Sequence, residues 1–79
     1  MALQISCRAV AQKVVLDLSG RLCFIETSLH DTVAELLAEG HRQFIFNLTD
    51  VTHIDSYGLG QLVSVWTSIH KQGGNLTLI

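Results

Sequence analysis

The residues with chemical potential gather in one short stretch, His53-Ile54-Asp55-Ser56-Tyr57-Gly58-Leu59-Gly60. A histidine, a carboxylate and a hydroxyl in that order raise the question of nucleophilic hydrolysis. Their spacing argues against it. A triad draws its members from separate segments, so that the base reaches the nucleophile and the acid orients the base. Neighbours at i, i+2 and i+3 entering a helix point apart. The nucleophile-elbow pattern G-x-S-x-G also fails, because Ile54 stands where the first glycine belongs. The Ser56 hydroxyl suits different chemistry. At the join of an apolar strand and an amphipathic helix it is exposed near backbone N–H donors, where a phosphate is tolerated. Asp55 and Ser56 are also both preferred N-caps, so capping and modification are open together.

Other chemistry finds little support. Gly58-Leu59-Gly60 resembles half of a dinucleotide fingerprint, but the third glycine and the later acidic residue are missing. The glycines are read instead as letting the helix start pack closely under the turn. His30, His41, His53 and His70 are spread over every element without the pairing of a metal site, and are expected to be solvated. Cys7 and Cys23 lack C-x-x-C spacing and read as reduced, mostly buried thiols. No cofactor is expected.

The elements that must position Ser56 follow from periodicity. Leu3 to Cys7 alternates as an edge strand, and Lys13 to Leu18 is a β-branched apolar strand ending at a Ser19-Gly20 turn. Arg21 to Glu26 has no firm assignment. Thr27 or Ser28 is placed to cap a first helix, with Asp31 in a capping-box arrangement. Leu29, Val33, Leu36 and Leu37 form its apolar face, His30, Asp31, Glu35 and Glu39 its solvated one, and Gly40 its stop. Phe44 to Leu48 reads as a central strand covered on both faces. After the polar loop, Leu59, Leu62, Val63, Trp66 and Ile69 form one stripe of a second helix running to about Gln72, with Trp66 expected in the core. Gly73-Gly74 ends it, and Asn75 to Ile79 begins a further strand. The order β-β-α-β-α-β predicts an α/β fold with a mixed, mostly parallel sheet and helices packed on it.

With 79 residues the chain, 1–79, is read as a single domain. It is 48% hydrophobic and 15% charged, with mean hydropathy +0.37. So much apolar side chain in so small a domain predicts a partner, and self-association is expected. A net charge of −2 with scattered Arg8, Lys13, Arg21, Arg42 and Lys71 argues against nucleic acid. No apolar run approaches the roughly 20 residues of a membrane span. The N-terminus lacks the pattern of a signal peptide, so a cytoplasmic location is expected.

The sequence resembles STAS domains, the family of bacterial anti-sigma factor antagonists and sulfate-transporter tails. The resemblance runs from about Lys13 to Ile79. It rests on Leu18-Ser19-Gly20-Arg21-Leu22, on Phe46-Asn47-Leu48-Thr49-Asp50-Val51, on Ile54-Asp55-Ser56-Tyr57-Gly58-Leu59-Gly60, and on Gly73-Gly74-Asn75-Leu76. It implies a non-enzymatic, anti-anti-sigma factor-like module. In such members the serine after the signature aspartate is phosphorylated by a kinase that is also the anti-sigma factor, which places the switch on Ser56. The unphosphorylated form binds that kinase, and a phosphatase resets it. Asp55, Ser56, Tyr57, Gly58 and Leu59 are then the partner-binding residues. The alternatives are a non-switching STAS subunit with a structural or assembly role in a transporter or stressosome-like complex, and a small nucleotide-binding module. Arg21-Leu22-Cys23 and Tyr57 depart from the family pattern, which often has an acidic residue followed by Leu-Asp, and a small residue, at these places. The family domain normally continues with a helix, a strand and a terminal helix. The C-terminal elements are therefore expected to be missing, either by truncation or in a minimal variant that completes itself by association.

Overall fold

A computed structural model describes residues 3–23 and 28–79. Strands β1 (Gln4–Val10) and β2 (Lys13–Leu22) form an antiparallel hairpin in which Val10 pairs with Lys13. Only Ala11 and Gln12 connect them, and so tight a turn forces Ala11 to φ +58. Helix α1 (Ser28–Ala38) leads to β3 (Gln43–Ile54), and α2 (Ser56–Lys71) leads to β4 (Asn75–Leu78). The sheet order is β1-β2-β3-β4, with β2, β3 and β4 parallel. This is the mixed, mostly parallel α/β fold expected.

The core lies where the helices meet one face of the sheet. Alternation places Val14, Leu16 and Leu18 of β2 beside Phe44 and Phe46 of β3, and all five are buried. Leu29, Val33 and Leu37 of α1 and Leu62, Val65 and Ile69 of α2 close over them in one cluster. Complete burial of such side chains stabilises the fold by about 1.5–3 kcal/mol each. The opposite face of β3 is more open than expected. Ile45 and Asn47 are only half-buried there, because both crossovers lie on the same side.

Both helices end in the same way. Gly40, at φ +100, donates to the Leu37 carbonyl while His41 donates to that of Leu36, at 3.0 Å each. Gly73, at φ +80, and Gly74 donate likewise to His70 and Ile69 at 3.0 and 2.9 Å. These are Schellman motifs, in which a left-handed glycine turns the chain back onto orphaned carbonyls. The Arg42 guanidinium adds a bond of 2.9 Å to the Leu37 carbonyl. At the other end of α1, Ser28 is already helical, and a cap at Thr27 lies outside the described residues.

Two expected breaks are continuous strand. Ser19-Gly20 is not a turn: β2 runs on to Leu22 through register shifts between Asp17 and Ser19 and between Gly20 and Arg21, with Gly20 at φ +94. A bulge bends a strand without ending it. The segment from Thr49 to Ile54, read as loop, is the second half of β3 and pairs with that bent end. Its β-branched Thr49, Val51, Thr52 and Ile54 suit a strand, and the Thr52 hydroxyl donates to the Gly20 carbonyl at 3.1 Å.

Candidate functional site

The bent ends of β2 and β3 set the position of Ser56. Leu22 pairs with Ile54, and the chain turns from Ile54 directly into α2. Asp55 is extended, at φ −104 and ψ −173, and its Oδ1 accepts from the Gly58 N–H at 2.9 Å. Its backbone carbonyl accepts from the Leu59 N–H at 2.9 Å. Asp55 is therefore the N-cap. Of the two capping candidates only Asp55 takes the role, and Ser56 becomes the first helical residue. Ser56 is exposed, with no side-chain hydrogen bond to another described residue.

Gly58 fixes the approach of α2 to the sheet. It is buried, and a Cβ there would fall on the backbone carbonyl of Leu22. Close packing at Gly58 was expected from the sequence. The same reading fails for Gly60, where a Cβ would stand in open space. Among the expected binding residues, Tyr57 and Leu59 are 67% and 58% exposed and flank Ser56, whereas buried Gly58 acts by positioning. His53 lies exposed within β3, and the Asp55 carboxylate is committed to the cap. The three polar groups do not converge.

The apolar stripe of α2 is split. Leu62, Val65 and Ile69 face the core, but Leu59, Val63 and Trp66 do not. Trp66 is 48% exposed and is not the core residue expected. Together with Leu62 and with Leu76 and Leu78 of β4 they line an open groove of about 310 Å³. The indole of Trp66 stacks on the His70 ring, with centroids 5.1 Å apart and planes at 7°. Helical spacing puts Ser56, Leu59, Val63 and Trp66 along the same side of α2, so the hydroxyl stands at the head of the groove.

Polar chemistry on the opposite face of the sheet went unread in the sequence. Arg8 Nε donates to Asp17 Oδ2 at 2.7 Å, and Asn47 Nδ2 donates to Asp17 Oδ1 at 2.8 Å. The Arg8 and Asn47 hydrogen bonds hold the Asp17 carboxyl below its ordinary range. Asn47 Oδ1 accepts in turn from the Thr49 hydroxyl at 2.6 Å. The only signal was pairing across strands, which single positions do not show. Cys7 is exposed and Cys23 half-buried, so the expectation of mostly buried thiols fails: Cys7 lies on the edge strand, which the helices do not reach. Among the described residues no three His, Cys, Asp or Glu side chains gather to hold a metal ion. No described helix is long and apolar enough to cross a membrane.

The site is a polar strand-to-helix junction on a mixed four-stranded sheet, with an exposed serine at the first helical position of α2. A family model of the STAS domain matches residues 4–79, and the chain belongs to that family. Among solved structures, Mglu superposes with a TM-score of 0.81 at 22% identity, over 92% of this chain and 18% of that one. The chain thus spans about a fifth of Mglu. The anti-sigma factor antagonist SpoIIAA in its unphosphorylated form gives a TM-score of 0.74 at 20% identity, covering 98% of this chain and 71% of that one. The phosphorylated form of SpoIIAA, a Bacillus cell fate determinant, gives 0.72 at 19% identity, over 95% and 68%. At such identities these likenesses bear on the fold. A comparison with curated proteins found no match.

Proposed function

We propose that this STAS domain is a cytoplasmic regulatory protein-binding module of the anti-anti-sigma factor kind, switched by phosphorylation of Ser56. Its partner is a serine kinase that doubles as an anti-sigma factor, and Asp55, Ser56, Tyr57 and Leu59 meet it. The observation that carries this reading is the division of labour at the start of α2. Asp55 holds the cap, which leaves the Ser56 hydroxyl exposed and free of structural duty. Family membership supports it, as does the likeness to a protein solved in both unphosphorylated and phosphorylated forms.

A phosphate on Ser56 brings about −1.5 to −2 charge at pH 7. The α2 N-terminus stabilises that charge in part, and the neighbouring Asp55 carboxylate opposes it. The helix therefore survives while its surface gains a large negative charge beside exposed Tyr57 and Leu59. A partner docked on those side chains is rejected without unfolding the domain. A non-switching STAS subunit with an assembly role is the second reading, favoured by the open groove beside the site.

The test is binding and labelling with the cognate kinase. Ser56→Ala should bind as wild type and resist phosphorylation. Ser56→Asp should weaken binding at least tenfold with little loss of stability, since an acid in the first helical turn is favourable. Equal affinity for both variants, with no residue labelled, would leave the assembly reading standing.

A further inference from the structure

Arg21 is the one Lys or Arg side chain set at the switch end of the sheet, and we infer that it is the counter-charge for a phosphate on Ser56. The inference rests on the reading of Ser56 as the phosphorylated residue, and adds the group that meets the phosphate. The chain has Arg8, Lys13, Arg21, Arg42 and Lys71 as its basic residues. Arg8 is paired with Asp17, and Arg42 donates to the Leu37 and His41 carbonyls. Lys13 begins β2, at the opposite end of that strand from Arg21. Lys71 closes α2, about 22 Å along the helix from Ser56 at a rise of about 1.5 Å per residue. Arg21 remains. It is exposed, and no hydrogen bond or ion pair ties it to another described residue.

The register brings Arg21 to the site. It lies opposite His53, and Leu22 lies opposite Ile54, at the parallel ends of β2 and β3. Neighbouring strands stand about 4.8 Å apart, and Ser56 follows His53 by one short step through Ile54 and Asp55. Leu22 closes the link from the other side, because its carbonyl lies against Gly58 in the first turn of α2. Leu22 is buried beneath the helices, so alternation turns Arg21 outward, where a long side chain is free to curl over the strand end. Electrostatics at Ser56 call for a cation. The Asp55 carboxylate is held at the cap by the Gly58 N–H and stays beside the phosphate. The helix N-terminus offers only about half a positive charge against about −1.5 to −2 on the phosphate. A guanidinium supplies a whole charge and a fork of donors that matches phosphate oxygens.

Phosphoserine incorporated at position 56 during synthesis, followed by a phosphorus NMR titration, tests the pairing without a kinase. The second pKa of the phosphate should lie below its ordinary value of about 6. Arg21→Gln should raise it by roughly half a unit, less than the 1–3 units a close guanidinium gives an acid, because both groups are open to screening. Arg21→Lys should recover part of the shift, and salt at about 1 M should erase the difference between wild type and Arg21→Gln. Circular dichroism should be the same for all. His53→Gln controls for the neighbouring imidazole and should leave the Arg21→Gln effect in place. A phosphate pKa that Arg21→Gln leaves unchanged would overturn the inference, as would an Arg21→Gln effect that vanishes in the His53→Gln background. No kinase enters, so either result strikes Arg21 alone, whereas a failure of the kinase to label Ser56 strikes the switch.

Discussion

Asp55 and Ser56 are adjacent, similar in capping ability, and assigned opposite duties by a single bond. The Asp55 carboxylate reaches the Gly58 N–H at 2.9 Å, because the residue before the helix is still extended and can fold its side chain back over the first turn. Ser56, one position later, has helical backbone and points its hydroxyl to water. This predicts an asymmetric response to alanine. Asp55→Ala should cost about 1 kcal/mol of stability, in the usual range for a lost cap. Ser56→Ala should cost no more than a few tenths of a kcal/mol, as expected for a surface side chain without a bond. Urea denaturation of the two variants checks the pair. The reverse ranking would return the cap to Ser56.

At the scale of the element, α2 carries two glycines with opposite consequences. Gly58 is wedged against the Leu22 carbonyl, which is backbone and cannot swing aside as the end of a flexible side chain could. Gly58→Ala should cost about 1–3 kcal/mol, the usual penalty of overpacking, and should displace the helix start together with Ser56. Gly60 meets nothing, and a glycine inside an exposed helix costs up to about 1 kcal/mol relative to alanine. Gly60→Ala should therefore raise the melting temperature. Thermal denaturation followed by circular dichroism separates the two, since intrinsic helix propensity alone would stabilise both. β3 shows the complementary effect. Its apolar half is buried by the helices, while its polar half persists as strand only because the bulged end of β2 stays alongside to pair with it.

Across the whole molecule the sheet has two unlike faces. One is dry and carries the helices; the other carries Arg8, Asp17 and Asn47 from three neighbouring strands. The Arg8 and Asn47 bonds depress the Asp17 carboxyl, so the folded state favours the charged form more than the unfolded chain does. Their contribution is present above the unfolded carboxyl range near pH 4, and it is lost as pH falls through the lower folded value. Asp17→Asn keeps the shape and removes the titration. The stability gap between wild type and Asp17→Asn should be widest near neutrality and close on acidification below about pH 4. Melting temperatures measured across that range check it, and a pH-independent gap would remove Asp17 from the acid response.

Local periodicity determined most of the element order by itself. The α1 face of Leu29, Val33 and Leu37, the glycine stops at Gly40 and Gly73, and the strand at Phe44 to Phe46 are all set by neighbours within a few residues. The Ile54 to Gly60 pattern likewise placed Ser56 at a helix start, and together with the matching segments from Leu18 to Leu76 it carried the resemblance to the family. Tertiary structure decided what depends on distant partners. The bulge at Ser19-Gly20 and the extension of β3 to Ile54 exist because each strand completes the other's hydrogen bonds. The closeness with which the start of α2 meets the Leu22 carbonyl at Gly58 is likewise a contact between distant segments. The fate of Trp66 turned on how far the sheet reaches beneath α2. An apolar stripe states that side chains avoid water, but only the packing of α2 on the sheet decides that Leu62, Val65 and Ile69 are buried while Leu59, Val63 and Trp66 are not.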